Sequence, residues 1–309
     1  MGMIPKNDKK ILKLLLIIFC FEIDRNYLEY IKKNLFINPN PPEYILKIFI
    51  MAHKDFINYR YNSVYNIVVD DKYQLQNKYN LNIINANQTK LYNMRRAYCE
   101  MAKIYFIYNL YKKGEIFSKY VGINHYRRYF DFTDNIPDIE YIFKNYDVIL
   151  IKPFFDKDGM RDSFCKAHIC EIYDEMIDII KHIKPEYYKS AIKVSKYKNI
   201  YLCNIFIMKR RDFLNYCEFM FDVLFELDRR YNLNSDKDVY EFVKKHFNNN
   251  ITILYQSRME AFLSERISNI FYYHHFKRIK SFPVGNFKGI KNNHFLINLI
   301  NLIMKNENK

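Results

Sequence analysis

Short apolar runs alternate with amphipathic stretches along most of the chain, and this alternation predicts strands and helices in turn. Buried strands are predicted at residues 47–52, 120–123, 146–151 and 200–208. Amphipathic helices, with apolar side chains every three or four positions, are predicted at residues 98–110, 167–183, 212–230 and 261–272. Gly114 is placed to end the first of these helices. The alternation favours an α/β fold, with a mostly parallel sheet flanked by helices, over a helix bundle or a β-sandwich.

The two ends of the chain differ in character from its centre. Residues 1–44 predict a helical extension, and a proline cluster at 39–42 marks its boundary with the central domain. Residues 45–280 predict the α/β domain, and residues 281–309 predict an amphipathic C-terminal helix and tail. No run of the sequence reaches the roughly 18 apolar residues that a membrane-spanning helix needs. The terminal helices are therefore expected either to pack on the sheet or to lie on an anionic membrane surface.

The composition adds a charge argument to this picture. The chain has 49 Lys and Arg against 34 Asp and Glu, a formal net charge of +15. This excess favours an anionic partner, such as nucleic acid, a phosphorylated small molecule or an acidic bilayer. Hydrophobic residues make up 50% of the chain, which argues against a disordered protein.

The 6 cysteines lie in different parts of the chain, without the spacing of a small secreted disulfide framework. Free thiols in a reducing cytoplasm are therefore expected. Cys165, His168 and Cys170 come nearest to a metal-binding pattern, but a structural zinc site needs four ligands and the sequence offers no second pair. No metal site is predicted there.

The segment YVGINHYRRYF, from Tyr120 to Phe130, carries the strongest chemical signal. A buried strand ends there in His125, Arg127 and Arg128, which lie between aromatic rings. Ligands bind at the carboxyl ends of strands in open α/β sheets, and paired guanidinium groups match the oxygens of a diphosphate. Two interpretations stay open: a phosphate-binding loop, or a solvated loop in which one arginine pairs with a core carboxylate.

Ordered blocks around this segment resemble a known family. The blocks, which lie between residues 47 and 272, are KIFIMAHK, YCEMAKIYFIYN, HYRRYF, YDVILIKP, HICEIYDEMIDIIKHIKPEYY, CNIFIMKRRDFLNYCEFMFDVLFELDRRY and RMEAFLSERI. In this order they are similar to the DUF4422 group of capsular and exopolysaccharide biosynthesis proteins, which look like GT-A glycosyltransferases. The resemblance implies a GT-A-like, Rossmann-like catalytic domain that transfers a hexose from a nucleotide sugar to a capsular, lipopolysaccharide or other surface glycan. It also implies a UDP-sugar as donor, with UDP-galactofuranose as one option.

The resemblance implies roles for particular residues of the donor site. Many GT-A enzymes hold a metal through two carboxylates at a central strand end, where this chain has its arginine pair. Arg127 and Arg128 are expected to be catalytic, because they can neutralise the departing diphosphate in place of such a metal. Donor contacts are expected from His53, Lys54, His125, Tyr126 and Asn204. Asn204 could instead be a core asparagine whose amide is satisfied within the protein.

The need for a metal stays open in this reasoning. The sequence requires no cofactor and predicts no metal ligand set. A divalent cation, Mn²⁺ or Mg²⁺, remains an option, and Asp131 and Asp134 are the candidate ligands.

A transferase that inverts its substrate needs a carboxylate to accept the proton of the acceptor hydroxyl. Glu265 is the expected catalytic base, since it lies in the last family block near the start of a helix, and Glu100 is a second candidate. The alternative for Glu265 is an ion pair with Arg266 or Arg258. Sugar or acceptor contacts are expected from His168 and Arg258, and the alternative for His168 is that it only caps the helix that follows it.

Two other classes of function remain as alternatives. A basic, aromatic-rich chain could bind nucleic acid, although no zinc finger, RNP signature or helix-turn-helix pattern occurs in the sequence. A non-catalytic scaffold on a membrane surface is the other alternative. For the transferase, we expect a lipid-linked acceptor and a cytoplasmic protein that contacts the inner face of the bacterial plasma membrane.

Overall fold

A computed structural model describes residues 43–53, 64–70, 82–87, 89–132, 136–247 and 253–286 of the chain. The helices predicted for the two terminal extensions lie outside these residues, apart from the first few positions after 280. Within the described ranges, no helix is both long enough and apolar enough to span a membrane.

The centre of the fold is a mostly parallel sheet, as the periodicity predicts. Along the chain the strands are β1 (Leu46–Met51), β2 (Tyr65–Val69), β3 (Asn82–Asn85), β4 (Tyr120–His125), β5 (Arg128–Phe130), β6 (Val148–Ile151), β7 (Phe154–Phe155), β8 (Asn199–Ile200), β9 (Phe206–Lys209), β10 (Ile279–Phe282) and β11 (Val284–Asn286). Seven of them form one sheet in the order β10-β6-β9-β4-β1-β2-β3. Only β9 runs antiparallel to its neighbours, so the carboxyl ends of the other strands meet at one edge.

Helices cover both faces of this sheet. They are α1 (Arg95–Tyr98), α2 (Glu100–Lys113), α3 (Ile139–Asn145), α4 (Met160–Ala167), α5 (Cys170–Ile183), α6 (Pro185–Val194), α7 (Arg210–Tyr231), α8 (Asp236–His246), α9 (Ile253–Gln256) and α10 (Met259–His275). Apolar side chains of α2, α5, α7 and α10 form one large core with one face of the sheet, whereas α3 contributes to a smaller core on the other face. Neighbouring strand residues alternate between these cores: Phe49 points into the large one and Ile48 into the small one.

Two positions in the fold require glycine, one for its backbone conformation and one for lack of space. Gly114 has φ 74° and ends α2, where its N–H donates to the carbonyl of Tyr111, as the sequence predicts. Gly122 lies in the central strand β4, and a Cβ there would stand 2.9 Å from Cγ1 of Ile48 and 3.2 Å from Cγ1 of Ile207. The two side chains on the adjacent strands therefore leave no room for a larger residue without a shift.

The prediction of a single strand at residues 200–208 is wrong, because the structure divides this run into two strands. The residues before the break form β8, which pairs with β7 outside the main sheet, and those after it form β9. Cys203 and Asn204 lie between them with φ of 71° and 49°. Two consecutive residues in the left-handed region cannot continue a strand, and asparagine tolerates this conformation better than most residues. The break turns the chain across the carboxyl edge of the sheet.

The expectation of free thiols is wrong for Cys165 and Cys170, which form a disulfide. The turn between α4 and α5 brings their Cα atoms to 4.3 Å from each other. Cys99, Cys203 and Cys217 are free thiols. The sheet also continues past the boundary predicted at residue 280, because β10 pairs with β6 over Ile279–Phe282.

Candidate functional site

A cleft of 1110 Å³ opens at the carboxyl edge of the sheet. Met51 at the end of β1, Asp70 just after β2 and His125 at the end of β4 all line it. The opposite wall comes from the start of α10 and from Leu202 and Cys203 at the break before β9. The cleft lies at this edge because parallel strands end together and their connecting segments leave from the same side, which is where open α/β sheets bind ligands.

The arginine pair predicted from the sequence does line this cleft. Both Arg127 and Arg128 are exposed to solvent and border the opening. The guanidinium of Arg127 lies over the ring of Tyr126, with Cζ 4.9 Å from the ring centre. Arg128 donates from Nη1 to Sγ of Cys203 at 3.0 Å. The short loop after β4 therefore delivers two positive charges to the cleft.

Most of the arginines that line the cleft have no carboxylate partner in the described residues. Within the described ranges, five arginines line the cleft without a carboxylate oxygen within 4.0 Å: Arg95, Arg96, Arg127, Arg128 and Arg258. Because none of these guanidinium groups forms a direct ion pair with a described acid, the cleft is suited to an anionic ligand.

Two of these arginines are held by thiols. Arg258 donates from Nε to Sγ of Cys99 at 3.0 Å, as Arg128 does to Cys203. Burial raises the pKa of Cys99 to about 12 and that of Cys203 to about 11. Both thiols are therefore neutral near pH 7, and they orient the guanidinium groups without cancelling their charge.

Glu265 lies on the wall of the cleft formed by α10. Its Oε1 accepts from the backbone N–H of Cys203 at 2.8 Å, and its Oε2 accepts from Nη1 of Arg266 at 2.9 Å. The side chain is 18% exposed, and burial raises the pKa of Glu265 above its usual range. The ion pair with Arg266 that the sequence left as an alternative is present, and the carboxylate still borders the cleft.

Glu100 and His125 face each other deeper in the cleft. Oε1 of Glu100 lies 3.8 Å from Nε2 of His125 and accepts from Nδ2 of Asn204 at 3.3 Å. Burial lowers the pKa of His125, so the imidazole is neutral near pH 7. His125 therefore offers the cleft a hydrogen-bonding group rather than a positive charge.

Asn204 is not among the residues that line the cleft, and its contacts favour the alternative of a core asparagine over the predicted donor contact. The residue is 2% exposed. Its Nδ2 donates to Oγ of Ser264 at 3.0 Å, and its Oδ1 accepts from Oγ of Ser268 at 2.7 Å. An amide satisfied on both sides within the protein is tied to α10, where it holds the left-handed turn that carries Cys203.

The other predicted contact residues lie around the cleft. Nε2 of His53 is 3.1 Å from the hydroxyl oxygen of Tyr126. His168 stacks on Phe262 with ring centres 4.2 Å apart, and its Nδ1 lies 2.9 Å from Oε1 of Gln256. Burial lowers the pKa of His168 to about 4, so this ring is neutral near pH 7. Arg258 also lines the cleft, and Lys54 lies outside the described residues.

Sequence reasoning missed a second group of charged residues in the cleft. Arg95 and Arg96 border it from α1, and Lys103 borders it from α2, with Nζ 3.4 Å from Oδ2 of Asp70. Asp236 accepts from the backbone N–H of Arg96 and so holds this segment in place. The doublet in NMRRAYCE repeats the pattern of HYRRYF and was a usable signal, whereas nothing local links Lys103 to Asp70.

The described residues contain no preformed cluster of three metal-ligating side chains. No three His, Cys, Asp or Glu side chains in the described parts of the chain lie close enough together to hold a metal ion. Asp131 is not among the residues that line the cleft, and Asp134 lies outside the described residues.

Comparisons with known proteins agree with this architecture. Residues 47–276 match the model of a family described as a domain of unknown function, DUF4422. No curated protein matches the chain. Among solved structures, the apo structure of the bifunctional glycosyltransferase WbbM matches with a TM-score of 0.60 and 18% identity, over 78% of this chain and 45% of that one. The chain thus spans less than half the length of WbbM, and the likeness establishes the fold alone.

Proposed function

The chain belongs to the DUF4422 family, and from this premise we propose that it is a glycosyltransferase that transfers a hexose from a nucleotide sugar to a glycan acceptor. The shared fold with a glycosyltransferase supports this reaction class. We extend the proposal to a UDP-sugar as donor, with UDP-galactofuranose as one candidate. The proposed acceptor is a capsular, lipopolysaccharide or other surface glycan that is lipid-linked and is met at the cytoplasmic face of the membrane.

The observation that carries the proposal is the set of arginines without carboxylate partners in the described cleft. When a sugar leaves its nucleotide, negative charge develops on the diphosphate, and cations that are already positioned in the site lower the barrier to this step. Arg127 and Arg128 are the best placed for this role, since adjacent guanidinium groups can bind phosphate oxygens bidentately. Arg95, Arg96 and Arg258 supply further positive charge in the same cleft.

A direct structural link joins the proposed base to the proposed leaving-group site. Cys203 accepts from Arg128 at its sulfur and donates its backbone N–H to Glu265, at 3.0 and 2.8 Å. A sugar bound between the guanidinium and the carboxylate would therefore meet both groups at once. Burial makes Glu265 a stronger base, and the ion pair with Arg266 favours its ionised form. In this mechanism the acceptor oxygen bonds to the anomeric carbon as the bond from that carbon to the diphosphate breaks, and Glu265 takes the proton of the acceptor hydroxyl.

The experiment is a panel of sugar nucleotides, measured by calorimetry and by turnover, with and without Mn²⁺. We expect a UDP-sugar to bind, and we expect Arg127→Gln or Arg128→Gln to lower kcat by about 10²-fold, as for loss of one group that stabilises developing charge. Arg211→Gln is the matched control, because the Arg211 side chain is 85% exposed and lies outside the cleft.

Two results would contradict the proposal. The first is unchanged turnover in both cleft variants, which would remove the role of the arginine pair. The second is the absence of sugar-nucleotide binding together with tight, salt-dependent binding of oligonucleotides, which would favour a nucleic-acid-binding protein.

A further inference from the structure

A small ribbon beside the cleft exposes two aromatic side chains. Strands β7 and β8 pair antiparallel and do not belong to the main sheet. Phe154 is 57% exposed and Phe155 is 63% exposed. Adjacent strand residues point to opposite faces, so both faces of this ribbon carry an exposed phenyl ring. Neither ring can be counted as part of the core, and the pair needs another explanation.

Exposed lysines flank the two strands of the ribbon along the chain. Four of them have no carboxylate oxygen within 4.0 Å in the described residues: Lys152, Lys157, Lys196 and Lys198. The nearest acid along the chain, Asp156, accepts from Oγ of Ser163 at 2.6 Å and from the backbone N–H of Asp158. These hydrogen bonds hold the carboxylate against the loop that follows β7. The ribbon is therefore both aromatic and positively charged.

The ribbon is anchored firmly to the body of the protein. The hydroxyl of Tyr273 donates to the carbonyl of Asn199 at 2.8 Å. The side chain of Asn269 accepts from the N–H of Tyr201 at 2.9 Å and donates to its carbonyl at 2.7 Å. Both anchors come from α10, which also forms a wall of the cleft. The exposure of the rings thus belongs to an ordered element.

The ribbon stands at the same edge of the sheet as the cleft. Strand β6 runs in the direction of β4, because both are antiparallel to β9, and its carboxyl end therefore lies at the cleft edge. Only Lys152 and Pro153 separate β6 from β7. On the other side, β8 ends at Ile200, and Leu202, which lines the cleft, comes directly after Tyr201. A surface that held the ribbon would therefore lie at the edge of the sheet where the cleft opens.

We propose that this ribbon docks the protein onto an anionic lipid bilayer. Phe154 and Phe155 enter the interfacial region, where aromatic rings are favoured, and the lysines lie near the negatively charged headgroups. A bilayer is the occupant that the features favour, since it accepts rings from both faces of a narrow ribbon and offers diffuse negative charge to the lysines that flank both strands. This docking assigns the membrane contact of the proposed function to a particular surface, and its test does not depend on glycosyl transfer. Should both hold, a lipid-linked acceptor would be presented to the cleft.

The test is co-sedimentation of the full chain with vesicles of equal parts phosphatidylcholine and phosphatidylglycerol, and with phosphatidylcholine vesicles. We expect binding to the anionic vesicles, weakened by about tenfold or more in the double variant Phe154→Ser and Phe155→Ser, since each buried phenyl ring contributes to binding. Lys196→Gln together with Lys198→Gln should weaken the same binding. Tyr141→Ser is the matched control, because Tyr141 is 62% exposed on α3 and lies away from the ribbon.

A second measurement does not need the rings to be removed. The chain contains no tryptophan, so Phe155→Trp places a single tryptophan at the ribbon, whose emission can be excited selectively over that of tyrosine. We expect its emission to shift to shorter wavelength with anionic vesicles and to be quenched by brominated lipids. The proposal is overturned if the wild type does not bind anionic vesicles, if the double serine variant binds as well as the wild type, or if the tryptophan is not quenched. Sugar-nucleotide binding should be unchanged in all ribbon variants, which separates this proposal from the proposed function.

Discussion

Replacement of the buried amide of Asn204 tests how the fold holds the candidate site. Asn204→Ala removes the hydrogen bonds to Ser264 and from Ser268, and the weaker one to Glu100 at 3.3 Å. Both serine hydroxyls keep a backbone carbonyl as acceptor, Ala261 for Ser264 and the carbonyl of Ser264 for Ser268. Their donors are therefore still satisfied, and the loss should lie at the low end for buried hydrogen bonds, about 1 to 2 kcal/mol.

The backbone adds a second contribution to the expected loss. Asn204 has φ 49°, where alanine is strained by about 1 to 2 kcal/mol and glycine is not. The free energy of unfolding should thus fall by about 2 to 4 kcal/mol in Asn204→Ala and by about 1 kcal/mol less in Asn204→Gly. The pair of variants separates the side-chain contribution from the backbone contribution.

Urea denaturation measures these differences, and turnover measures their effect on the site. Because the N–H of Cys203 holds Glu265, a displaced turn should lower kcat in both variants more than it weakens donor binding. The reasoning is refuted if both variants unfold within about 0.5 kcal/mol of the wild type. If the alanine and glycine variants have the same free energy of unfolding, the backbone contribution is refuted, since the left-handed conformation would then not favour glycine over alanine.

Three further changes probe the core, the buried acids and the proposed base. Gly122→Ala should lower the free energy of unfolding by about 1 to 3 kcal/mol, because its Cβ would stand 2.9 Å from Cγ1 of Ile48. When Ile48→Val is added, urea denaturation should show that part of the lost free energy of unfolding is restored. Burial raises the pKa of both Asp228 and Glu260, which interact with each other, so the folded pair binds protons that the unfolded state releases near about pH 4. Stability should therefore fall as the pH rises above about 4, and Asp228→Asn should reduce this fall in melts at several pH values. An unchanged slope would contradict the assignment. Glu265→Gln keeps an acceptor for the N–H of Cys203 but removes the charge. Turnover should therefore drop by about 10² to 10⁴-fold, while calorimetry should show donor binding near that of the wild type. Wild-type turnover in this variant would exclude Glu265 as the base.

The fold class and most of the elements could be predicted from the sequence. The run KIFIMA corresponds to β1, and the helix predicted to stop at Gly114 does end there with a left-handed glycine. These predictions hold because strand and helix periodicities depend on which face of a short segment is buried, and neighbours within a few positions decide that. The arginine pair was visible for the same reason, since it comes directly after a buried strand.

Other features had no local signal. The run at 200–208 is apolar throughout apart from Asn204, and nothing in it marks the break that the partners of this residue on α10 create. The disulfide between Cys165 and Cys170 was missed because the expectation rested on the overall cysteine pattern rather than on the turn that joins α4 to α5. The predictions for the two terminal extensions stay predictions.

The sequence by itself determined the alternation of strands and helices, the parallel sheet and the excess of positive charge. Only the tertiary structure decided where that charge is useful, because it brings Arg128, Cys203 and Glu265 from three distant parts of the chain to one cleft. The net charge of a sequence does not say which cations have an acid beside them. Electrostatic interactions and burial depend on distances in space, and those distances exist only once the chain has folded.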